Sequence, residues 1–311
     1  MEQFDYYPQK PELVEKKSSQ NTKKTILSIF LFILTFVLLG ASDFTFIFSL
    51  ILVLLIHELG HFLFMKMFGY SDVKMLFVPF MGAFVQGKKD EYKQKQSLFV
   101  VLAGPIPGII IGLSIFYLGF KWKMDWMNDL AFLFMVLNVI NLLPLDPLDG
   151  GQVLKLLVKK NQDLFQLVFS FISSLVMIGV GWYFQLWLIV IFGFLMGLRV
   201  RMTQRNYSIH KELINEGVNF TLTYKSLSNK DFSKIKEVLI NYTPALKTYL
   251  NQVGDDDKSI DSIIANQVNN VLVSPVDRNA SFVFKFFILI IWISGFIAPF
   301  VLINYLGVLK F

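Results

Sequence analysis

Two histidines and a glutamate lie inside an otherwise apolar segment near the start of the chain. Residues 44–68 contain no charge before the run HELGH at 57–61. On a helix, His57 and His61 are one turn apart on the same face, so both imidazoles can bind one metal ion while Glu58 reaches a water beside it. These residue types at this spacing predict metal-assisted hydrolysis with a carboxylate as general base.

A chance match at a helix end is the plain alternative, because polar side chains there can reach the membrane interface. However, the chain has only 3 His, and two of them flank Glu58 at the metal-binding spacing. Ionisable groups within a membrane helix cost about 2.5–3.5 kcal/mol and usually face a cavity or a partner. The pattern therefore favours a site over an accident.

A third metal ligand, if there is one, must be a carboxylate. A catalytic zinc usually takes three protein ligands and leaves one position for water, but the chain has no cysteine, and His210 lies in a polar region. The membrane-associated candidates are Asp146 and Asp149, in a stretch that two prolines keep from being helical. Irregular backbone at membrane depth is tolerated where it lines a cavity. Spacing alone does not choose between the two aspartates, and Asp149-Gly150 is also a common turn dipeptide.

The composition is that of a polytopic membrane protein. Of the 311 residues, 54% are hydrophobic, 17% are charged and 33 are Phe. A crossing needs about 20 apolar residues, and the apolar runs predict seven spans. The runs are residues 25–41, 44–68, 97–120, 130–145, 164–198 (two crossings, divided near 181–185) and 286–309.

The basic residues predict the orientation of these spans. Lys and Arg concentrate in residues 66–96, 146–163 and 199–285, which the positive-inside rule places in the cytoplasm together with the N-terminus. The net charge of +6 then needs no nucleic acid partner. No cleavage pattern follows the first span, which predicts a retained anchor. The compact core and the absence of an organelle signal favour the plasma membrane of a prokaryote.

Four regions follow from this division of the chain. Residues 1–24 form a cytoplasmic N-terminal segment, and residues 25–198 form a core of six spans. Residues 199–285 form a small cytoplasmic region, and residues 286–311 hold the last transmembrane helix.

The two motifs taken together, HELGH at 57–61 and NLLPLDPLDGG at 141–151, resemble the site-2 protease family of intramembrane zinc metalloproteases. In that family the second motif is Asn-x-x-Pro-x-x-x-x-Asp-Gly, and its Asp is a zinc ligand. On this chain the resemblance implies that Asp149 is the ligand, that Asp146 is a variable position and that Asn141 contacts substrate.

The resemblance covers about residues 25–198 and implies an all-α polytopic fold of about seven transmembrane helices with Zn²⁺ as cofactor. Ala103-Gly104-Pro105 looks like a further family motif, and Gly108 stands where the family often has Asn. That departure concerns the subgroup and leaves the catalytic residues unchanged.

Residues 76–85 are apolar, contain Pro and Gly, and are too short to span a membrane. They resemble the membrane re-entrant β-hairpin that these proteases place beside the catalytic helix, where it holds substrate as an added strand. The resemblance implies substrate contacts for Phe80, Gly82 and Phe84. An amphipathic loop on the membrane surface is the alternative.

The predicted function is hydrolysis of a peptide bond within the membrane. Zinc held by His57, His61 and Asp149 polarises the scissile carbonyl, and Glu58 acts as general base and later as proton donor. The expected partners are the bilayer and single-span or signal-type membrane-protein substrates. One rival is a catalytically silent scaffold, which has no need of all four residues. The other is a metal transporter, which would place ionisable groups along a path and not at one depth.

Overall fold

The computed structural model describes residues 7–13, 21–38, 43–78, 82–253 and 258–306. The chain divides into two compact units. The first unit contains Asn161–Val276 with residues 7–13 and Asp90–Tyr92. The second contains the described residues between 21 and 89, Lys93–Lys160, and the segment from Asp277 onward.

Helices dominate the architecture of both units. The elements of the first half are α1 (Asn21–Leu38), α2 (Phe44–Met67), β1 (Ser71–Val78), β2 (Gly82–Lys88), β3 (Tyr92–Lys93), α3 (Gln94–Leu102), α4 (Pro105–Trp122), α5 (Asp125–Asn141) and α6 (Asp149–Leu157). The elements that follow are α7 (Gln162–Tyr183), α8 (Trp187–Asn215), α9 (Asn229–Asn241), α10 (Pro244–Val253), α11 (Lys258–Val271), β4 (Val276–Asp277) and α12 (Phe282–Tyr305).

Five helical stretches among the described residues are long and apolar enough to cross a membrane. They are Phe44–Met67, Gln94–Trp122, Gln162–Tyr183, Trp187–Asn215 and Phe282–Tyr305. Many of their large apolar side chains point outward; Phe286, for example, is 57% exposed. Such surfaces suit lipid and not water. The prediction of a helical polytopic membrane protein is confirmed.

Several helix boundaries differ from the predicted spans by a few residues, and at two places the course of the helix itself differs. The third predicted span is two helices, α3 and α4, because Pro105 begins α4 and the chain turns at Ala103-Gly104. Proline fits the first turn of a helix and disrupts a helix interior. Helix α8 does not end near Leu198 but continues to Asn215, because its polar second half is stabilised by burying Ile209 and Leu213 in an apolar core.

Strands β1 and β2 form an antiparallel hairpin in which Val78 pairs with Gly82 and Met75 with Val85. The strands extend the predicted segment 76–85 in both directions. Helix α1 packs on β1, where Thr25 Oγ1 donates a hydrogen bond to Met75 O at 2.6 Å. Strand β2 lies against α2, the helix that carries the HELGH motif. The placement of this hairpin within the membrane stays a prediction.

The core that positions the second motif lies between α3, α4, α6 and α12. Its fully buried members include Leu98, Leu142, Val153 and Ile288. The start of α6 lies so close to the end of α5 that a Cβ on Gly150 would stand 1.9 Å from Leu142 O. Only glycine permits this approach, which holds the preceding residue, Asp149, at the end of α5.

In the first unit, α7 and α8 pack closely through small residues. Ser174 Oγ donates a hydrogen bond to Gly193 O at 2.8 Å, and a Cβ on Gly181 would stand 2.9 Å from Val190. Small residues let membrane helices approach each other in this way. The polar half of α8 joins a helical bundle with a buried apolar core that includes Leu213, Ile235 and Val268.

Several polar contacts stabilise this bundle. Ser228 caps α9, since its Oγ accepts a hydrogen bond from Asp231 N–H at 3.0 Å. His210 lies with Nδ1 2.9 Å from Asp163 Oδ2 and with Nε2 2.8 Å from Val271 O. The N-terminal residues 7–13 also contact the bundle, where Lys10 Nζ donates to the carbonyl of Tyr224 at 2.8 Å.

Candidate active site

Helix α2 places three ionisable side chains in the interior of the second unit. His57, Glu58 and His61 are 5%, 4% and 8% exposed, respectively. At about 1.5 Å per residue, His57 lies about 20 Å from the start of α2 at Phe44. Buried ionisable groups need polar partners, and each of the three has one.

Three ligand atoms converge from two motifs that are far apart in sequence. Asp149 Oδ2 lies 3.1 Å from His57 Nε2 and 3.3 Å from His61 Nε2, and the two Nε2 atoms are 3.2 Å apart. Zinc bonds to such atoms are about 2.0–2.2 Å long, so tetrahedral ligands stand about 3.3–3.5 Å apart. The three atoms therefore form one face of a tetrahedron of the size that zinc requires.

The other ring nitrogen of each histidine, Nδ1, faces a hydrogen-bond acceptor. His57 Nδ1 lies 2.7 Å from Asn138 Oδ1, and His61 Nδ1 lies 2.7 Å from Val100 O. Each Nδ1 must therefore carry the proton and donate it, which leaves each Nε2 lone pair free for a metal. Within the described part of the chain, no group donates a hydrogen bond to the buried Asp149 Oδ2. This donor set fits a zinc ion.

The structure brings Asp149, and not Asp146, to the two histidines. The Asp146 side chain is 2% exposed and forms an ion pair with Lys155 Nζ at 2.5 Å. Both aspartates lie in the break between α5 and α6, but their carboxylates face different partners. The local fold therefore places Asp149, and not Asp146, beside the two histidines.

The turn between α3 and α4 closes one side of the site. A Cβ on Gly104 would stand 2.3 Å from His61 Nε2 and 2.9 Å from His57 Nε2. On the α2 side, a Cβ on Gly60 would stand 1.8 Å from Ala103 O. Two glycines thus permit the backbone of one motif to lie directly against the ligands of another.

Strand β2 closes another side, because the backbone N–H of Val85 donates a hydrogen bond to the Glu58 carboxylate. Two of the predicted substrate-contacting residues belong to this strand. Gly82 begins β2 with a φ of 89°, and Phe84 is 40% exposed. Phe80 lies outside the described residues.

One residue of the site, which lies just before the second motif on α5, was not suggested by the sequence. Asn141 Nδ2 donates a hydrogen bond to Leu137 O within its own helix, at 3.0 Å. Asn138, one turn earlier, is fully buried and contacts His57. The sequence contains one signal for Asn138, because it is a second carboxamide in an apolar span. By itself, such a residue indicates only a buried polar contact.

Comparison with known proteins gives the same family as the two motifs. Residues 45–127 match the sequence model of peptidase family M50. The resemblance to the site-2 proteases is confirmed. The segment that matches these site-2 proteases contains the HELGH motif and ends before Asp149.

Two curated relatives match about a third of the chain. Stage IV sporulation protein FB of Bacillus subtilis is 32% identical over 113 residues, which are 36% of this chain and 39% of that protein. A zinc metalloprotease of Methanocaldococcus jannaschii is 28% identical over 110 residues, which are 34% of this chain and 32% of that protein. The chain thus spans less than two fifths of the length of either relative.

One solved structure is also similar, that of a site-2 protease from Methanocaldococcus jannaschii. The alignment has a TM-score of 0.45 at 21% sequence identity. It covers 57% of this chain and 88% of that one.

Proposed function

We propose that this protein is an intramembrane zinc metalloprotease, which hydrolyses a peptide bond in or near a transmembrane segment of a membrane-protein substrate. The observation that carries the proposal is the convergence of His57 Nε2, His61 Nε2 and Asp149 Oδ2 within 3.1–3.3 Å of one another. Glu58 follows His57 directly on the same buried helix. The similarity to a named zinc metalloprotease supports the choice of metal.

His57, His61 and Asp149 would hold the zinc, and three is the number of protein ligands that a catalytic zinc usually takes. When bound, zinc supplies Lewis acidity, which polarises the scissile carbonyl and makes water a better nucleophile at neutral pH. Glu58 takes the proton from the attacking water and then delivers it to the leaving amine nitrogen. Before substrate enters, the Val85 N–H holds the Glu58 carboxylate in place.

Substrate binding on β2 follows from the same contact. A transmembrane helix hides its carbonyls in its own hydrogen bonds, so the cleaved segment must unwind. The Val85 N–H donates a hydrogen bond to Glu58, so a peptide that adds to β2 as a further strand runs close to the catalytic carboxylate. Gly82 and Phe84 belong to this strand, and Asn141 contacts the opened segment from α5.

The proposed topology has seven crossings with the N-terminus in the cytoplasm. Besides the five apolar stretches, α1 has 18 residues and α5 has 17, which is close to the length that a crossing needs. The contact of Lys10 with Tyr224 supports placing residues 1–24 and 199–285 on one side of the membrane. A bacterial and an archaeal relative support a prokaryotic plasma membrane.

The scaffold and the transporter fit the site less well. A scaffold gains nothing from three ligand atoms arranged as one face of a zinc tetrahedron. A transporter needs ionisable groups along a path, whereas His57, Glu58, His61 and Asp149 form one buried cluster.

The deciding experiment compares the native chain with Glu58→Gln and Asp149→Ala in detergent. Zinc content and cleavage of a single-span test substrate are measured on the same preparations. We expect about one zinc per native chain, no cleavage but unchanged zinc in Glu58→Gln, and loss of both in Asp149→Ala. Full activity in Glu58→Gln would overturn the protease assignment. Zinc flux into vesicles without cleavage would favour the transporter, and zinc with neither would favour the scaffold.

A further inference from the structure

Asn138 on α5 makes a contact that the reaction itself does not require. Its side chain is completely buried, and its Oδ1 lies 2.7 Å from His57 Nδ1. His57 contributes one of the three ligand atoms through the opposite ring nitrogen. Asn138 therefore touches a metal ligand without touching the metal position.

The orientation of the Asn138 carboxamide is fixed by a second hydrogen bond. Asn138 Nδ2 donates to Phe134 O, one turn back on the same helix, at 2.7 Å. Because a carbonyl can only accept, the NH₂ end must face Phe134, and the oxygen must face His57. An oxygen in that place selects the His57 tautomer that has its proton on Nδ1 and its lone pair on Nε2.

The space for this carboxamide is provided by Gly108 on α4. A Cβ at position 108 would stand 2.4 Å from Asn138 Nδ2, 2.5 Å from Cγ and 2.5 Å from Oδ1. No real Cβ contact is this short, so any side chain at position 108 would displace the carboxamide. Gly108 and Asn138 are therefore a matched pair across the interface of α4 and α5.

We infer that Asn138 is a positioning residue that holds His57 in its zinc-binding tautomer and orientation, and that Gly108 is required because it leaves room for the Asn138 carboxamide. The inference rests on the proposed zinc site. It adds a second layer of residues, which sets how tightly that site binds the metal.

The magnitude follows from other metal sites. Partners of metal-bound histidines are typically worth 10- to 100-fold in metal affinity, because without them the imidazole rotates or changes tautomer. Asn138→Ala should therefore weaken zinc binding by about 10- to 100-fold. Asn138→Asp keeps an oxygen acceptor for His57 and should recover most of that loss.

Asn128 supplies a matched control on the same pair of helices. Its Oδ1 would lie 2.5 Å from a Cβ on Gly119, so it also faces a glycine of α4. It lies nearly three turns from Asn138 along α5 and is not among the residues that contact His57. Asn128→Ala should therefore leave the zinc affinity unchanged.

Gly108→Ala tests the second half of the inference through a double-mutant cycle. In the native background, the added methyl group should displace the carboxamide and weaken zinc binding about as much as Asn138→Ala does. In the Asn138→Ala background the obstacle is gone, so the same substitution should cost little more. This non-additivity is the signature of a direct contact between the two positions.

The measurement is the zinc dissociation constant of purified full-length protein, obtained by competition with a chromogenic chelator, with the melting temperature recorded in parallel. The inference is supported if Asn138→Ala and Gly108→Ala lose affinity while Asn138→Asp and Asn128→Ala keep it. It is overturned if Asn138→Ala binds zinc like the native chain, or if Asn128→Ala loses as much. If the native chain itself binds no zinc, the proposed function fails, which is a distinct result.

Discussion

At the scale of single residues, the site consists of ionisable groups that each meet a polar partner. His57 faces Asn138, His61 faces Val100 O, and Asp146 faces Lys155. In a low-dielectric interior, such contacts determine which atoms remain available. The two Nε2 atoms and Asp149 Oδ2 are the atoms left over, and together they form a group that could hold a metal ion.

Gly104 should be essential for metal binding for a steric reason alone. A methyl group there would lie 2.3 Å from His61 Nε2, in the space between the ligands. The backbone of Gly104 is already αR, with φ −76° and ψ −67°, so alanine strains nothing else. We expect Gly104→Ala to lose zinc and cleavage while its circular dichroism spectrum stays native.

The control for this substitution is Gly179→Ala in α7, where an added methyl group meets nothing within 4 Å. It should keep zinc and activity, because the added methyl group contacts nothing. The helix itself should not be weakened, since alanine favours a helix interior over glycine by about 1 kcal/mol. Zinc retained in Gly104→Ala would show that the metal lies elsewhere.

The two aspartates of the second motif should respond to substitution in opposite ways. Asp146→Ala removes the carboxylate that faces the largely buried Lys155 ammonium, and breaking such a pair costs about 3–5 kcal/mol. We expect a lower melting temperature with zinc still bound at one ion per folded chain. Adding Lys155→Met should restore much of the stability. Loss of zinc from folded Asp146→Ala would identify Asp146 as a ligand.

At the scale of secondary-structure elements, the hairpin contacts Glu58 through one backbone group. The Val85 N–H donates a hydrogen bond to Glu58, and Val85→Pro removes this donor. A hydrogen bond to a charged group is worth about 1.5–3 kcal/mol, so kcat should fall by about 10- to 100-fold with zinc unchanged.

Val85→Ala keeps the N–H and removes only side-chain packing, so its effect on kcat should be much smaller. Steady-state cleavage of the test substrate by both variants gives the comparison. Equal kcat values for the two variants would mean that the N–H plays no part in catalysis.

Much of this element structure could be predicted from sequence because apolar runs report helices directly. Helix α2 begins at Phe44 as predicted, and the long run after Leu164 does divide near Gly181 into α7 and α8. The break at Ala103-Gly104 and the continuation of α8 were not predicted. Hydropathy indicates which residues lie in lipid, but it does not indicate where the backbone of a helix breaks or continues. The contact of Asn138 with His57 depends on the packing of α5 against α2, which no local pattern contains.

At the scale of the whole molecule, the absence of cysteine makes the topology directly testable. Lys121 and Lys225 are exposed, and the proposed topology places them on opposite sides of the membrane. In intact cells, a membrane-impermeant maleimide should label Lys121→Cys and should label Lys225→Cys only after permeabilisation. The native chain gives the background. Labelling of both from outside would invalidate the seven-span topology.

Helix α8 is one continuous rod of 29 residues. At about 1.5 Å per residue it is about 43 Å long, which exceeds a bilayer core of about 30 Å. Its far end supplies Ile209 and Leu213 to the core of the helical bundle, so no flexible joint separates bundle from span. A torque applied to the bundle is transmitted along the whole rod, and a thinner or thicker bilayer that tilts the rod must tilt the bundle by the same angle.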